Sequence, residues 1–354
     1  VPYYSVIGGW VIKYLIEYFA GHSKTLAGDA YFTTFISNGW STEICFIIFT
    51  LFTLGIIYAG VRNGIERVSK FMMPILIVLS LIIAVYSVTR PGAIEGVKYF
   101  LVPNFDHFSW MTVVSAMGQM FYSLSIAMGI LITFGSYMKK DTSIEKSTEN
   151  VEIFDTAIAI MAGLMIIPAV FAFSGGNAET LKSGPALMFI TIPKVFANMG
   201  FGTAIGVVFF LLVLFAAVTS SIALTESAVS TFEDELHWSR KKSTVFMGMV
   251  MLLLGTLSCL GYGPLANFKI LGMQFLDFFD FITNSVMMPI AAIATCLLVS
   301  KVVGVDKIEE EIKKDGQAFR RKKIFCFMIK YLCPLFAAII LISSVANAFG
   351  IITM

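Results

Sequence analysis

The most unusual polar residues of this sequence lie in the middle of an apolar stretch. Residues 121–130 read FYSLSIAMGI, and Ser123, Ser125, Ala127 and Gly129 alternate there with larger side chains. A two-residue spacing does not match the 3.6-residue period of a helix, and serine and glycine favour backbone that has left the helix. Carbonyls freed by such a break could bind a cation, and freed N–H groups could bind a carboxylate. The alternative is that small residues only let neighbouring helices pack closely.

A second polar run, AAVTSSIALTES, occupies residues 216–227. Thr219 and Ala216 are three residues apart, so the threonine hydroxyl and the alanine carbonyl share one helix face. Together with Ser220 they offer the oxygen ligands that hard cations prefer. The alternative is that these hydroxyls bond carbonyls of their own helix, as is common for serine and threonine in spans.

Two acidic positions also stand out in apolar surroundings. Asp155 lies in STENVEIFDTAIAIMAG, where Thr148 is the predicted N-cap and Asp155 follows about two turns later. A carboxylate that faces a helix-bundle interior indicates a functional site. Asp280, preceded by Asp277 in LDFFDFITNS, could serve as a gate residue that pairs with a cation. For both positions the alternative is a solvated acid near a helix start.

Membrane-spanning helices must position these residues. The 354-residue chain is 57% hydrophobic and 14% charged, whereas globular domains average about 45–50% and 25%. Runs long enough to cross a bilayer recur along the chain, which predicts an all-α polytopic membrane protein. The nine runs cover residues 1–20, 43–60, 70–89, 109–138, 153–174, 201–232, 244–262, 271–300 and 323–350.

Basic residues predict the orientation of these spans. Of the 25 lysines and arginines, 17 lie in alternate loops, namely 61–70, 139–147, 239–243 and 301–323. Loops rich in Lys and Arg face the cytoplasm. The net charge of +2 therefore reflects topology and does not indicate nucleic-acid binding.

The sequence lacks the residue patterns of an enzyme. No HExxH motif, no glycine-rich phosphate loop followed by lysine and no Ser-His-Asp arrangement can be placed. The five cysteines form no CxxC pair, so neither a zinc site nor a disulfide framework is expected.

Taken together and in order, these stretches resemble the neurotransmitter:sodium symporter family, in its bacterial LeuT-like amino-acid branch. Eight motifs carry the resemblance: YYSVIGGW (3–10), GIER (64–67), GQMFYSLSIAMG (118–129), DTAIAIMAG (155–163), GPALMFITIPKVF (184–196), FAAVTSSIA (215–223), EDEL (233–236) and DFFDFITN (277–284). The family is built from two inverted five-helix repeats. The resemblance implies one transmembrane domain over 1–354 that contains family helices three to eleven and lacks the first two. The first repeat would be incomplete at 1–108, the second would cover 109–300, and an extra helix would cover 323–350.

The resemblance also implies residue roles. Substrate contacts are expected from Tyr4, Tyr122, Ser123, Ser125, Met128, Ser220 and Leu224. Sodium ligands are expected from Ser123, Asp155, the Ala216 carbonyl, Thr219 and Ser220. Gating roles fall to Tyr122 and Asp280 on the outer side and to Tyr137 and Asp234 on the inner side. Ala127 departs from the glycine usual in the broken segment, which narrows the pocket by a methyl group.

The expected function is sodium-coupled symport of a neutral, hydrophobic amino acid by alternating access in the cell membrane. Two sodium sites are expected, each completed by the first family helix, which this chain lacks. Chloride is not expected to be required, because Asp155 would supply a fixed negative charge. The expected partners are the amino acid, sodium ions and the lipid bilayer, with a homodimer as a possible assembly. A proton-coupled transporter of the same fold and a transport-inactive fragment are the alternatives.

Overall fold

The computed structural model describes residues 1–106, 108–177, 184–314 and 319–351, and within these ranges it contains helices and no sheet. In chain order the helices are α1 (Pro2–Phe19), α2 (Ser23–Leu26), α3 (Tyr31–Ser37), α4 (Gly39–Tyr58), α5 (Val61–Val88), α6 (Ala93–Leu101), α7 (Trp110–Ser123), α8 (Ile130–Ser136), α9 (Ile144–Ser174), α10 (Leu187–Ala197), α11 (Gly202–Leu236), α12 (Arg240–Leu260), α13 (Phe275–Val303), α14 (Val305–Lys313) and α15 (Lys322–Ala348). The predicted all-α architecture is confirmed.

Seven of the helices in the described ranges are long and apolar enough to cross a bilayer: α4, α5, α9, α11, α12, α13 and α15. Each corresponds to one predicted apolar run. The other two predicted runs are α1, which carries Lys13 and Glu17, and the pair α7 and α8, which a turn separates. The short helices α2, α3, α6, α10 and α14 were not predicted, because apolar runs reveal only segments that match the thickness of a bilayer.

The chain forms two compact units. The first comprises Val1–Asn104 and Ile158–Leu276, and the second comprises Phe105–Ala157 and Asp277–Met354. The two units are the parts of the chain that are compact in themselves. The boundaries of the inverted repeats are a separate matter and remain a prediction.

The first unit is centred on α1, which packs against α4, α11 and α12. Gly9 lets α1 approach α4 closely, since a Cβ at this position would lie 2.6 Å from the backbone nitrogen of Phe46. Farther along α1, the buried Tyr14 ring stacks on Phe210 of α11 at 5.2 Å, and its hydroxyl donates to the Phe189 carbonyl of α10 at 2.8 Å. These contacts fix α1 against α10 and α11.

The second unit is built around the packing of α13 against α15, and α7 also contacts α15. The predicted start of α9 was wrong. The helix begins at Ile144, where the Ser143 hydroxyl accepts the Lys146 N–H, and the Thr148 hydroxyl instead donates to the Ile144 carbonyl at 2.9 Å. Asp155 therefore lies about three turns into α9 instead of two.

Candidate functional site

The predicted interruption of the helix at residues 121–130 is confirmed. Helix α7 ends at Ser123 and α8 begins at Ile130. Between them Ser125 and Ala127 have φ values of 54° and 61°, and Gly129 has a φ of 77°. Left-handed backbone is unfavourable for serine and alanine, so two of the alternating small residues hold strained conformations that larger side chains would tolerate less well.

Backbone hydrogen bonding is incomplete through this turn. The N–H groups of residues 124–126 still donate to carbonyls at the end of α7. In the described part of the chain, the N–H groups of residues 130–132 have no backbone acceptor, as at any helix start. This helix start lies within a predicted span, where hydrocarbon offers no partner. The turn therefore presents polar backbone that a ligand can satisfy.

Ser123 and Asp155, two of the predicted sodium ligands, lie together in the second unit. The Ser123 hydroxyl donates to Asp155 Oδ1 at 2.7 Å. Asp155 is half-buried, and among the described residues no cationic side chain lies within ion-pair distance of it. The hydroxyl at the end of the broken helix and the carboxylate on α9 form an oxygen-rich group that can bind a hard cation.

The turn also borders an apolar cavity of about 350 Å³ within the second unit. Ser125, Ala127 and Gly129 line one side of it, and residues of α13 and α15 such as Thr295 and Phe336 line the other. The Thr295 hydroxyl is already bonded to the Ala291 carbonyl at 2.8 Å. The cavity therefore offers little polarity beyond the turn itself.

The first unit brings together a second group of predicted site residues. The Tyr4 side chain on α1 lies close to the Ser220 side chain on α11. At the preceding position of α11, the Thr219 hydroxyl lies 3.0 Å from both the Ala216 and the Phe215 carbonyls. The intrahelical bond that was the alternative for Thr219 is thus present, and the same bond places its oxygen beside the Ala216 carbonyl. Leu224 is half-buried one turn farther along α11.

The predicted gate residues have local partners. The Asp280 carboxylate accepts a hydrogen bond from Asn284, one turn later in α13, at 2.7 Å. The Tyr137 ring packs against Phe134 at 6.0 Å between ring centroids. The other two predicted gate residues are exposed: Tyr122 is 41% exposed, and Asp234 is exposed near the end of α11. Met128, a predicted substrate contact, is half-buried.

A buried ion-pair network in the first unit was not predicted. Glu226 on α11 is fully buried, and both its oxygens accept hydrogen bonds from Arg240 at the start of α12, at 2.6 and 3.0 Å. Arg240 also reaches Glu233 at 3.4 Å and donates to the Ile57 carbonyl of α4 at 3.0 Å. The sequence did contain a signal for this network, namely the acidic Glu226 within an apolar run. Acidic residues in spans are usually paired with a cationic or polar partner.

No group of three or more His, Cys, Asp or Glu residues suited to a metal ion occurs in the described part of the chain. A transition-metal centre there would need such nitrogen, sulfur or carboxylate ligands. The predicted sodium ligands at Asp155 and Thr219 remain predictions.

Comparison with known proteins agrees with this geometry. The model of the sodium:neurotransmitter symporter family matches residues 12–351. An uncharacterized sodium-dependent transporter, YhdH, of Bacillus subtilis is 32% identical over all of this chain and 77% of its own length. One from Haemophilus influenzae is 30% identical over 97% of this chain and 76% of its own length.

Among solved structures, the crystal structure of MhsT in complex with L-phenylalanine superposes with a TM-score of 0.83. It is 32% identical in sequence, and the match covers 97% of this chain and 78% of MhsT. The interrupted helix, the oxygen groups and the whole-chain matches lead to one assignment: this chain belongs to the sodium:neurotransmitter symporter family and has its LeuT-like fold.

Proposed function

We propose that this protein uses a sodium gradient to carry a neutral, hydrophobic amino acid across the cell membrane. The family assignment makes it a sodium-dependent transporter with several membrane spans. The amino-acid substrate, the sodium ligands and the cytoplasmic position of the loops at 61–70, 139–147, 239–243 and 301–323 are parts of the proposal.

The hydrogen bond between Ser123 and Asp155 carries the sodium part of the proposal. Desolvating a lone carboxylate in a span is costly, yet among the described residues no cationic side chain compensates Asp155. A sodium ion beside Asp155 would provide that compensation. Because the carboxylate brings one negative charge per ion, chloride is not needed to neutralise this site.

We expect the group of oxygen atoms in the first unit to bind the substrate carboxylate and a second sodium ion. The Tyr4 hydroxyl, which lies near Ser220, can donate to the carboxylate of an amino acid. The Ala216 carbonyl, Thr219 and Ser220 supply oxygens for a second sodium ion. Leu224 is the apolar side chain that we expect to contact the substrate from the first unit, and Met128 is the one that we expect from the second. MhsT, a solved relative, has a crystal structure in complex with L-phenylalanine.

The charges of the two ligands explain how sodium binding is coupled to amino-acid binding. A zwitterionic amino acid cannot enter a low-dielectric site unless both of its charges find partners. If a bound sodium ion partners the substrate carboxylate, each ligand raises the affinity for the other by the same factor. Transport is then driven by the sodium gradient and stops when either ligand is absent.

The test is Asp155→Asn in the full-length protein, with sodium-dependent binding of labelled L-phenylalanine measured in detergent and uptake measured in liposomes. Loss of one charged oxygen ligand costs about 1.5–3 kcal/mol. We therefore expect the sodium concentration for half-maximal binding to rise roughly 10- to 150-fold. Replacing chloride by gluconate should leave wild-type uptake unchanged.

Glu152→Gln is the matched control, because it removes an exposed carboxylate one turn earlier on α9. It should leave the sodium dependence unchanged. Unaltered sodium affinity in Asp155→Asn would remove Asp155 from the sodium site. Uptake that persists when sodium is replaced by choline at constant pH, and that follows a proton gradient, would favour the proton-coupled alternative.

A further inference from the structure

A groove at the start of α12, in the first unit, has features that the transport function does not use. It is open and has a volume of about 450 Å³. Trp238, Lys241 and Lys242 line one end, and Val245, Phe246 and Met249 line the other. Because α12 is one of the spans, its start lies where a helix leaves the bilayer.

The two lysines at the polar end are held but not neutralised. The Lys242 ammonium lies 3.9 Å from the centroid of the Trp238 ring, and that of Lys241 lies 5.7 Å from the centroid of Tyr58. In the described residues neither lysine forms an ion pair, although Asp234 lies near the end of α11. The neighbouring Arg240, by contrast, is bonded to two glutamates. Two uncompensated positive charges therefore remain at this end of the groove.

The other end of the groove is apolar and continues along α12. Val245 and Met249 are 57% and 51% exposed, and Leu253, one turn farther on, is 70% exposed. Residues four apart share one helix face, so these three side chains form an apolar stripe roughly 12 Å long. The Phe246 ring packs edge-on against Trp238 at 5.4 Å between centroids and forms the wall that joins the two ends.

We infer that this groove binds an anionic phospholipid. Lys241 and Lys242 would hold the phosphate, Trp238 would lie at the headgroup level as interfacial tryptophans do, and an acyl chain would follow the stripe at residues 245, 249 and 253. The uncompensated charges select a lipid with net negative charge over a zwitterionic one. A free phosphate would use only the polar end, which leaves the stripe without an occupant.

The test uses phosphatidylglycerol with brominated acyl chains, titrated into the full-length protein in neutral detergent. Bromine quenches tryptophan on contact, and the difference between wild type and Trp238→Phe isolates the signal of Trp238 among the four tryptophans. One lysine near a membrane surface changes anionic-lipid affinity about five-fold. We therefore expect Lys241→Gln/Lys242→Gln to raise the half-quenching concentration roughly 30-fold. Met249→Ser should also weaken quenching.

Lys301→Gln/Lys323→Gln is the charge-matched control, since both lysines are exposed at the ends of other spans. This variant should quench like wild type, and glycerol phosphate should not compete. Equal quenching by brominated phosphatidylcholine would show an unselective lipid shell and overturn the inference. Competition by glycerol phosphate, or no effect of Met249→Ser, would reduce the site to an anion site and overturn it as well.

Discussion

Replacing Arg240 alone should destabilise the protein more than replacing Arg240 and Glu226 together. The Glu226 carboxylate is fully buried, and Arg240 donates to both of its oxygens. The same guanidinium bonds the Ile57 carbonyl and thereby joins α4, α11 and α12. In Arg240→Met the carboxylate would remain in the core without a cation.

The size of the effect follows from the burial of each partner. Removing one member of a buried ion pair costs about 3–5 kcal/mol, whereas exchanging both for apolar residues of similar size is often neutral. Glu226→Leu should cost less than Arg240→Met, because Arg240 is 21% exposed and keeps Glu233 and Ile57 as partners. At about 2.1 cal/mol/K of unfolding entropy per residue, a loss of 3–5 kcal/mol lowers Tm by roughly 4–7 °C.

The assay is thermal unfolding followed with a thiol-reactive dye. Cys45, Cys259 and Cys296 are buried and become reactive only when the helices separate. Arg321→Met is the matched control, because Arg321 forms an exposed ion pair with Glu149 at 3.3 Å. Exposed pairs contribute about 0–1 kcal/mol, so the control should shift Tm by about 1 °C.

Two results would refute this reasoning. If Arg240→Met shifts Tm no more than Arg321→Met, the Glu226 carboxylate is not desolvated as its burial indicates. If the double variant is as unstable as Arg240→Met, the cost comes from lost packing around Arg240 and not from an unpaired charge.

Two further predictions concern packing and the loop helix α14. Gly206→Ala places a methyl group against the buried Tyr18 ring and should lower the free energy of unfolding by about 1–3 kcal/mol. Gly55→Ala meets open space and should be neutral or stabilising. Equal Tm values for the two variants would contradict this prediction. Hydrogen bonds from Lys313 and Lys322 lower the pKa of Glu309. The ionised Glu309 carboxylate therefore stabilises the fold at pH values above the ordinary glutamate pKa, and this stabilisation is lost only as the pH falls below that value. Glu309→Gln should therefore increase amide exchange in α14 at pH 7, while Lys307→Gln should not; equal exchange would show that the ion pairs do not hold α14.

The broken helix was predictable because its cause is local. Small and hydroxyl-bearing residues at a two-residue spacing conflict with the helical period, and the positive φ values at Ser125, Ala127 and Gly129 follow that spacing. The start of α9 was not predictable in this way. Ser143 and Thr148 are both good N-cap residues, and only the hydrogen bonds of the folded chain show which of them caps the helix.

Two of the acids within spans, Asp155 and Glu226, show what the sequence leaves open and the structure's ion pairs resolve. From sequence, Asp155 and Glu226 are the same kind of signal, a carboxylate in an apolar run. In the structure Glu226 is fully buried and bonded by Arg240 through both oxygens, so its charge is already compensated. Asp155 is half-buried, accepts one hydroxyl and faces no cationic side chain in the described ranges. A carboxylate within a span that has no cationic partner among the described residues can bind a cation from solution, and for this reason we propose sodium at Asp155 and a structural role for Glu226.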